Sequence, residues 1–185
     1  MTPINLSNAD TSGGDFTPIK PGTYPASVFE AAWGETQGGT GSKLPKGTPF
    51  INVQLKVDTT DAQDIEGKDL NGMDRRVFTR YIIAPEKIGS KAYEHKAMMD
   101  GMLVRFLAAI GYDKDDVMAE DGYEPDLEDF GGRECTVVLA VEEYLPNDPD
   151  FDDNDEPIKR RRNVVKGVKK AGAGRGAVGK VGGII

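Results

Sequence analysis

Residues 50–57 alternate without a break: Ile51, Val53, Leu55 and Val57 take one parity, and Asn52, Gln54 and Lys56 the other. A period of two with one apolar parity builds a strand with one face on a core and the other toward water. Such a strand cannot cover its own apolar face. The rest of the chain must supply further strands or a helix to bury it.

Those elements are legible on either side. Pro21-Gly22-Thr23-Tyr24 is a turn entering a strand over 23–33, which carries Tyr24, Val28, Phe29 and Trp33. Residues 34–49 hold five glycines and two prolines and read as a long, mildly basic loop. Residues 75–83, Arg-Arg-Val-Phe-Thr-Arg-Tyr-Ile-Ile, form a third strand, rich in β-branched and aromatic types. The period then changes. Met99, Leu103, Phe106, Leu107 and Ile110 recur at helical spacing within 91–110, weakened by Gly101 and closed by Gly111. Residues 112–130 read as an acidic linker, 133–144 as a fourth strand, 145–158 as a second long loop, and 162–168 as a short fifth strand. The expected fold is mainly β with one helix, in the order β-β-β-α-β-β. That is the element order of an OB-fold, a five-stranded barrel whose strand 2–3 face and two long loops bind oligonucleotides. The domain spans 19–170, between a polar arm (1–18) and a Gly/Ala-rich basic tail (171–185).

Composition first argues against a polyanion partner, because 31 acids against 23 bases leave a net charge of −8. The sum hides a split. Nine bases and no acids lie between Lys159 and Ile185, so residues 1–158 carry 14 bases and 31 acids, a net of −17. Nine acids fall in 113–129 and six in 148–156. The acidic average therefore says little about the field at any one face.

Several chemistries are excluded. One cysteine, Cys135, allows no internal disulfide and no thiolate zinc site, and one histidine, His95, allows no His-rich metal centre. Gly174-Arg175-Gly176-Ala177-Val178-Gly179 matches G-x-G-x-x-G but lacks the strand and helix a dinucleotide site needs. Gly38-Gly39-Thr40-Gly41-Ser42-Lys43 lacks Walker A spacing. Asp150, Asp152 and Asn154 imitate a calcium loop, but Asp155 and Arg161 stand where Gly and Glu belong. No nucleophile–base pair is set by a motif. The expectation is a protein without catalysis, cofactor or metal. No apolar run approaches the ~18 residues of a membrane span. Met1-Thr2-Pro3-Ile4-Asn5 also lacks the regions of a signal peptide, so the chain is expected to be soluble and cytoplasmic, without a membrane partner.

The binding signals are stronger. Arg76, Phe78 and Arg80 share one parity of the third strand, and Val77, Thr79 and Tyr81 the other. A basic–aromatic–basic stripe suits single-stranded nucleic acid, since rings stack on bases and guanidiniums meet phosphates. Lys56, Asn52 and Gln54 would extend it on the neighbouring strand. Equally, Phe78 and Ile82 could face the core. Trp33, at the root of the loop carrying Lys43 and Lys46, is a stacking residue or a cap on the barrel end. Arg160, Arg161 and Arg162 meet a polyanion or neutralise Asp152, Asp153, Asp155 and Glu156 upstream. His95 and Cys135 read as structural.

Several short segments resemble a group of small phage replication-module proteins: Pro21-Gly22-Thr23-Tyr24, Phe50-Ile51-Asn52-Val53, Val77-Phe78-Thr79-Arg80-Tyr81, Ala108-Ala109-Ile110-Gly111, Gly132-Arg133-Glu134-Cys135-Thr136-Val137 and Asn163-Val164-Val165-Lys166. The likeness covers roughly residues 20–170. It implies an OB-fold single-stranded DNA-binding protein acting in phage replication or recombination in the host cytoplasm, with no catalysis. Many such proteins end in an acidic, partner-recruiting tail; here the tail is basic. Replication or recombination proteins would instead meet the acidic segments 113–129 and 148–156. Two other readings stay open: an interaction or virion-accessory protein using those segments without nucleic acid, and an acidic mimic of DNA. Homo-oligomerisation is left open.

Overall fold

The computed structural model describes residues 17–38, 44–119 and 122–172. Five long strands form one antiparallel sheet: β1 (Gly22–Glu35), β2 (Pro49–Val57), β3 (Arg75–Ile82), β6 (Glu134–Tyr144) and β7 (Arg160–Lys170). A two-stranded ribbon, β4 (Lys87–Ile88) and β5 (Lys91–Ala92), helix α1 (Lys96–Ala109) and a single turn, α2 (Lys114–Val117), lie between β3 and β6. The order across the sheet is β3-β2-β1-β6-β7. β1 is central because it is long enough to pair twice, with β6 through Gly22–Ser27 and with β2 through Ala26–Glu35. The sheet is open: β3 and β7 approach each other, yet they are its two unpaired edges. The mainly β chain with one principal helix is as expected; the closed barrel is replaced by this open sheet.

The alternation in β2 does what its period requires. Ile51, Val53, Leu55 and Val57 are buried, with Val28, Val77, Tyr81, Val137 and Leu139 from the other strands. Helix α1 closes the core from one end through Phe106, Leu107 and Ile110. Phe106 stacks on Tyr81 of β3 (ring centroids 4.5 Å) and meets Phe130 edge-on at 5.9 Å. Such ring pairs add ~0.5–1.5 kcal/mol beyond their area. The helix ends at Gly111, whose φ of +98° lies where residues with a Cβ are strained.

Three stretches differ from the sequence expectation. Pro18, assigned to the polar arm, is buried, and its carbonyl accepts from Ile65 N–H at 2.9 Å. Ile19 beside it is in the core, clasped by Asn163 of β7, which accepts from its N–H and donates to its carbonyl, both at 2.8 Å. The acidic linker contributes Phe130, fully buried at the end of a 3₁₀ turn (Glu128–Phe130). The fifth strand is longer than 162–168, because Arg160 and Arg161 pair with Tyr144 and Glu143 of β6. Arm residues 1–16 and tail residues 173–185 lie outside the described residues.

Candidate nucleic-acid interface

β3 presents its two parities unequally. Val77 and Tyr81 point into the core, leaving Arg76, Phe78 and Arg80 on the outer face with Phe78 62% exposed. Register extends this face across β2: Lys56 lies opposite Arg76, Gln54 opposite Phe78, and Asn52 opposite Arg80. It reaches β1 through an irregularity. The β1–β2 pairing shifts between Val28 and Glu30, so Phe29 is the extra, bulged residue. Its ring is turned outward, 46% exposed, and lies beneath the Arg76 guanidinium at 3.7 Å.

The same arrangement recurs at the other end of the stripe. The Arg80 guanidinium sits 4.0 Å over the Phe50 ring, and its Nε donates to Asn52 Oδ1 at 3.1 Å. Burial draws the Arg80 pKa down from its ordinary value. Phe50 finds room because its partner across the strands is Gly34, where a Cβ would collide with the ring. The outer face therefore carries three phenyl rings. Phe50 is buried beneath Arg80 (6% exposed), Phe29 carries Arg76 on one side of its ring, and Phe78 lies bare between the two arginines. Cation–π stacking of this kind is worth ~0.5–1 kcal/mol at exposed sites, so it orients the arginines without locking them.

Arg76 also faces a carboxylate. Its Nη2 and Nε donate to Asp74 at 2.8 and 3.2 Å. This hydrogen bond, reinforced by the charge on Arg76 and Lys56, holds the Asp74 carboxyl below its usual range, and the same bond raises Arg76.

The remaining expected residues do not join the platform. Trp33 pairs with Ile51, a core residue, so register puts it on the opposite face of the sheet, 38% exposed at the β1 end. Lys46 is exposed in the β1–β2 connection, and Lys43 lies outside the described residues. Arg160, Arg161 and Arg162 belong to β7, where each is ion-paired: to Asp150 at 3.0 Å, Glu143 at 3.3 Å and Glu142 at 2.9 Å. Arg162 also stacks over Tyr144 at 4.8 Å. Neutralisation is thus local, but by cross-strand carboxylates rather than the upstream acids, Asp150 apart. The β1–β2 and β6–β7 hairpins pair with opposite halves of β1 and leave it in opposite directions.

Sequence reasoning passed over Phe29 and Phe50 as site residues. Phe50 shares the parity of Asn52, Gln54 and Lys56, which was a usable signal. Phe29 had one too, the parity opposite to Tyr24 and Val28; what the bulge alone decides is that Trp33, of the same parity, faces the other way.

His95 is the N-cap of α1, 3.2 Å from Glu94. Cys135 is buried, and burial pushes its thiol up to about 11. Among the described residues no group of His, Cys, Asp and Glu is placed to hold a metal ion, and no helix is long and apolar enough to cross a membrane. Compared with known proteins, the chain matches no family model and no curated protein.

Proposed function

We propose that the chain is a sequence-nonspecific single-stranded DNA-binding protein working through the outer face of β1, β2 and β3. One observation carries the reading: Phe78, a large apolar ring 62% exposed on a regular strand, is flanked on its own face by Arg76 and Arg80. Water gains nothing from such a ring, and a nucleobase gains ~1–3 kcal/mol by stacking on it. The neighbouring guanidiniums supply phosphate contacts, and Asn52 and Gln54 supply polar contacts that read no particular base. The sheet supports an OB-like architecture, because that fold is a five-stranded, partly open barrel binding oligonucleotides on its strand 2–3 face. Binding here needs no catalytic group, cofactor or metal. The resemblance to phage replication-module proteins adds the setting: protection of single strands during phage DNA replication or recombination in the host cytoplasm.

The test is fluorescence anisotropy with a labelled oligo-dT at low salt. Wild type binds, and Phe78→Ala weakens binding by ~1–3 kcal/mol, about five- to 150-fold. Its stability changes by less than about 0.5 kcal/mol, because the ring is outside the core. No binding by wild type, or a large loss of stability in the variant, overturns the proposal.

A further inference from the structure

Helix α1 is apolar on more than the side that meets the core. Of its 14 residues only Lys96, Asp100 and Arg105 are charged. Lys96 is tied down along one flank, to Asp100 at 2.9 Å, Glu86 at 3.4 Å and the Ala84 carbonyl at 3.3 Å. On the side turned away from Leu103 and Ile110, Ala97, Met98 and Met102 are exposed, with Gly101 among them. A helix that is apolar all round is ordinarily covered all round. Gly101 points the same way. Glycine inside a helix is less stable than alanine, yet a Cβ at this position would meet nothing within 4 Å. No neighbour within the molecule requires its absence, whereas the close approach of a second backbone does.

The charges at the two ends of this face say which chain that is. Glu94, Met98, Gly101 and Arg105 recur at i, i+4, i+7 and i+11, one stripe of the helix and its entry turn. Both end residues are exposed. Among the described residues Glu94 pairs only with the adjacent His95, at 3.2 Å, and Arg105 with no carboxylate. The stripe reads acid, methionine, glycine, base. Turned end for end it complements itself: in one register Glu94 meets Arg105 of the second copy, and Met98 enters the hollow over its Gly101. The two-fold axis repeats both contacts. An unrelated partner would have to carry this pattern by coincidence, but a second copy of the chain always carries it. We infer that the outer face of α1 is a self-association surface, pairing antiparallel with α1 of a second copy. Such isologous contacts are the commonest between like chains. One short helix per molecule makes a small interface, so the dimer is weak and dilute protein is monomeric. None of these residues lies on the Phe78 platform, so the inference is independent of the DNA-binding reading.

Sedimentation velocity of the full chain across a concentration series at low salt tests it. The variants are Glu94→Arg, Arg105→Glu, the double exchange of both, and Gly101→Gln, which fills the hollow with a good helix former. All four positions face solvent or open space, so the variants keep the fold, which their melting curves check. The expected result is concentration-dependent dimerisation of wild type. Each single charge reversal sets like charges against each other at both ends and weakens it about five- to thirtyfold. The double exchange restores it, and so does mixing the two single variants, because each then meets the opposite charge. Gly101→Gln abolishes it. A wild type that stays monomeric, or dimerises equally well as Gly101→Gln, overturns the inference. Loss in both single reversals without recovery in the double exchange overturns it as well, because the antiparallel register is what selects a second copy.

Discussion

Asp74 and Arg76 show how one side chain can restrain a binding surface. The carboxylate occupies the guanidinium edge that a phosphate would take, so each bound phosphate must displace it. Exposed pairs contribute ~0.2–1 kcal/mol, small enough to exchange. Asp74→Asn removes the competing charge and is expected to tighten oligo-dT binding up to about fivefold at low salt, read by anisotropy. Acid acts in the same direction. The folded carboxyl is held below its ordinary value, so the pair persists above the usual Asp range and is lost as pH falls through the lowered one. Wild-type binding should therefore converge on that of Asp74→Asn only in strong acid. Cys135 gives a second residue-scale expectation. Its thiol is buried and pushed up to about 11, so at pH 8 it should resist alkylation in the native state and react on unfolding in urea, followed by mass spectrometry.

At the scale of elements, α1 is a plug for the open end of the sheet. Phe106 reaches Tyr81 and Phe130 at once and is 1% exposed, whereas Met102, one turn earlier in the helix, is exposed. Phe106→Ala is expected to cost ~3–5 kcal/mol in urea unfolding, and Met102→Ala within about 0.5 kcal/mol. The helix was legible in the sequence because one apolar stripe at a period of 3.6 sufficed to define it. The turn around Phe130 was not. Its composition, Glu124-Pro125-Asp126-Leu127-Glu128-Asp129-Phe130, is that of a solvated linker, and only the packing of Phe130 against Phe106 and Tyr112 makes it a core residue. The same limit applies to the platform. Alternation assigned Arg76, Phe78 and Arg80 to one face correctly but left open which face met water. Apolar residues occur on both parities of β3, and the choice falls to the neighbours that Tyr81 and Val77 find.

For the whole molecule, net charge is a poor guide to partners. The three arginines that open β7 are matched by carboxylates, as Arg160–Asp150, Arg161–Glu143 and Arg162–Glu142. The cations left facing the rings are Lys56, Arg76 and Arg80. Three phosphate contacts on a single strand predict a slope of about −2 in a plot of log affinity against log salt. A titration from 50 to 300 mM NaCl checks it. A much steeper slope would mean that Arg160, Arg161 and Arg162 have left their carboxylates for DNA.

What the sequence determined by itself is periodic and local: the β2 alternation, the stripe of α1, the order of strands and helix, and the shared face of Arg76, Phe78 and Arg80. Each follows from where a side chain must point when the backbone repeats every 2 or 3.6 residues. The tertiary structure alone decided which side of β3 is buried, that the sheet stays open between β3 and β7, that Trp33 faces away from the platform although it shares the parity of Phe29, and that Phe50 packs over Gly34. These depend on registers, one bulge and a glycine beneath Phe50, contacts between residues far apart in the chain that no local period encodes.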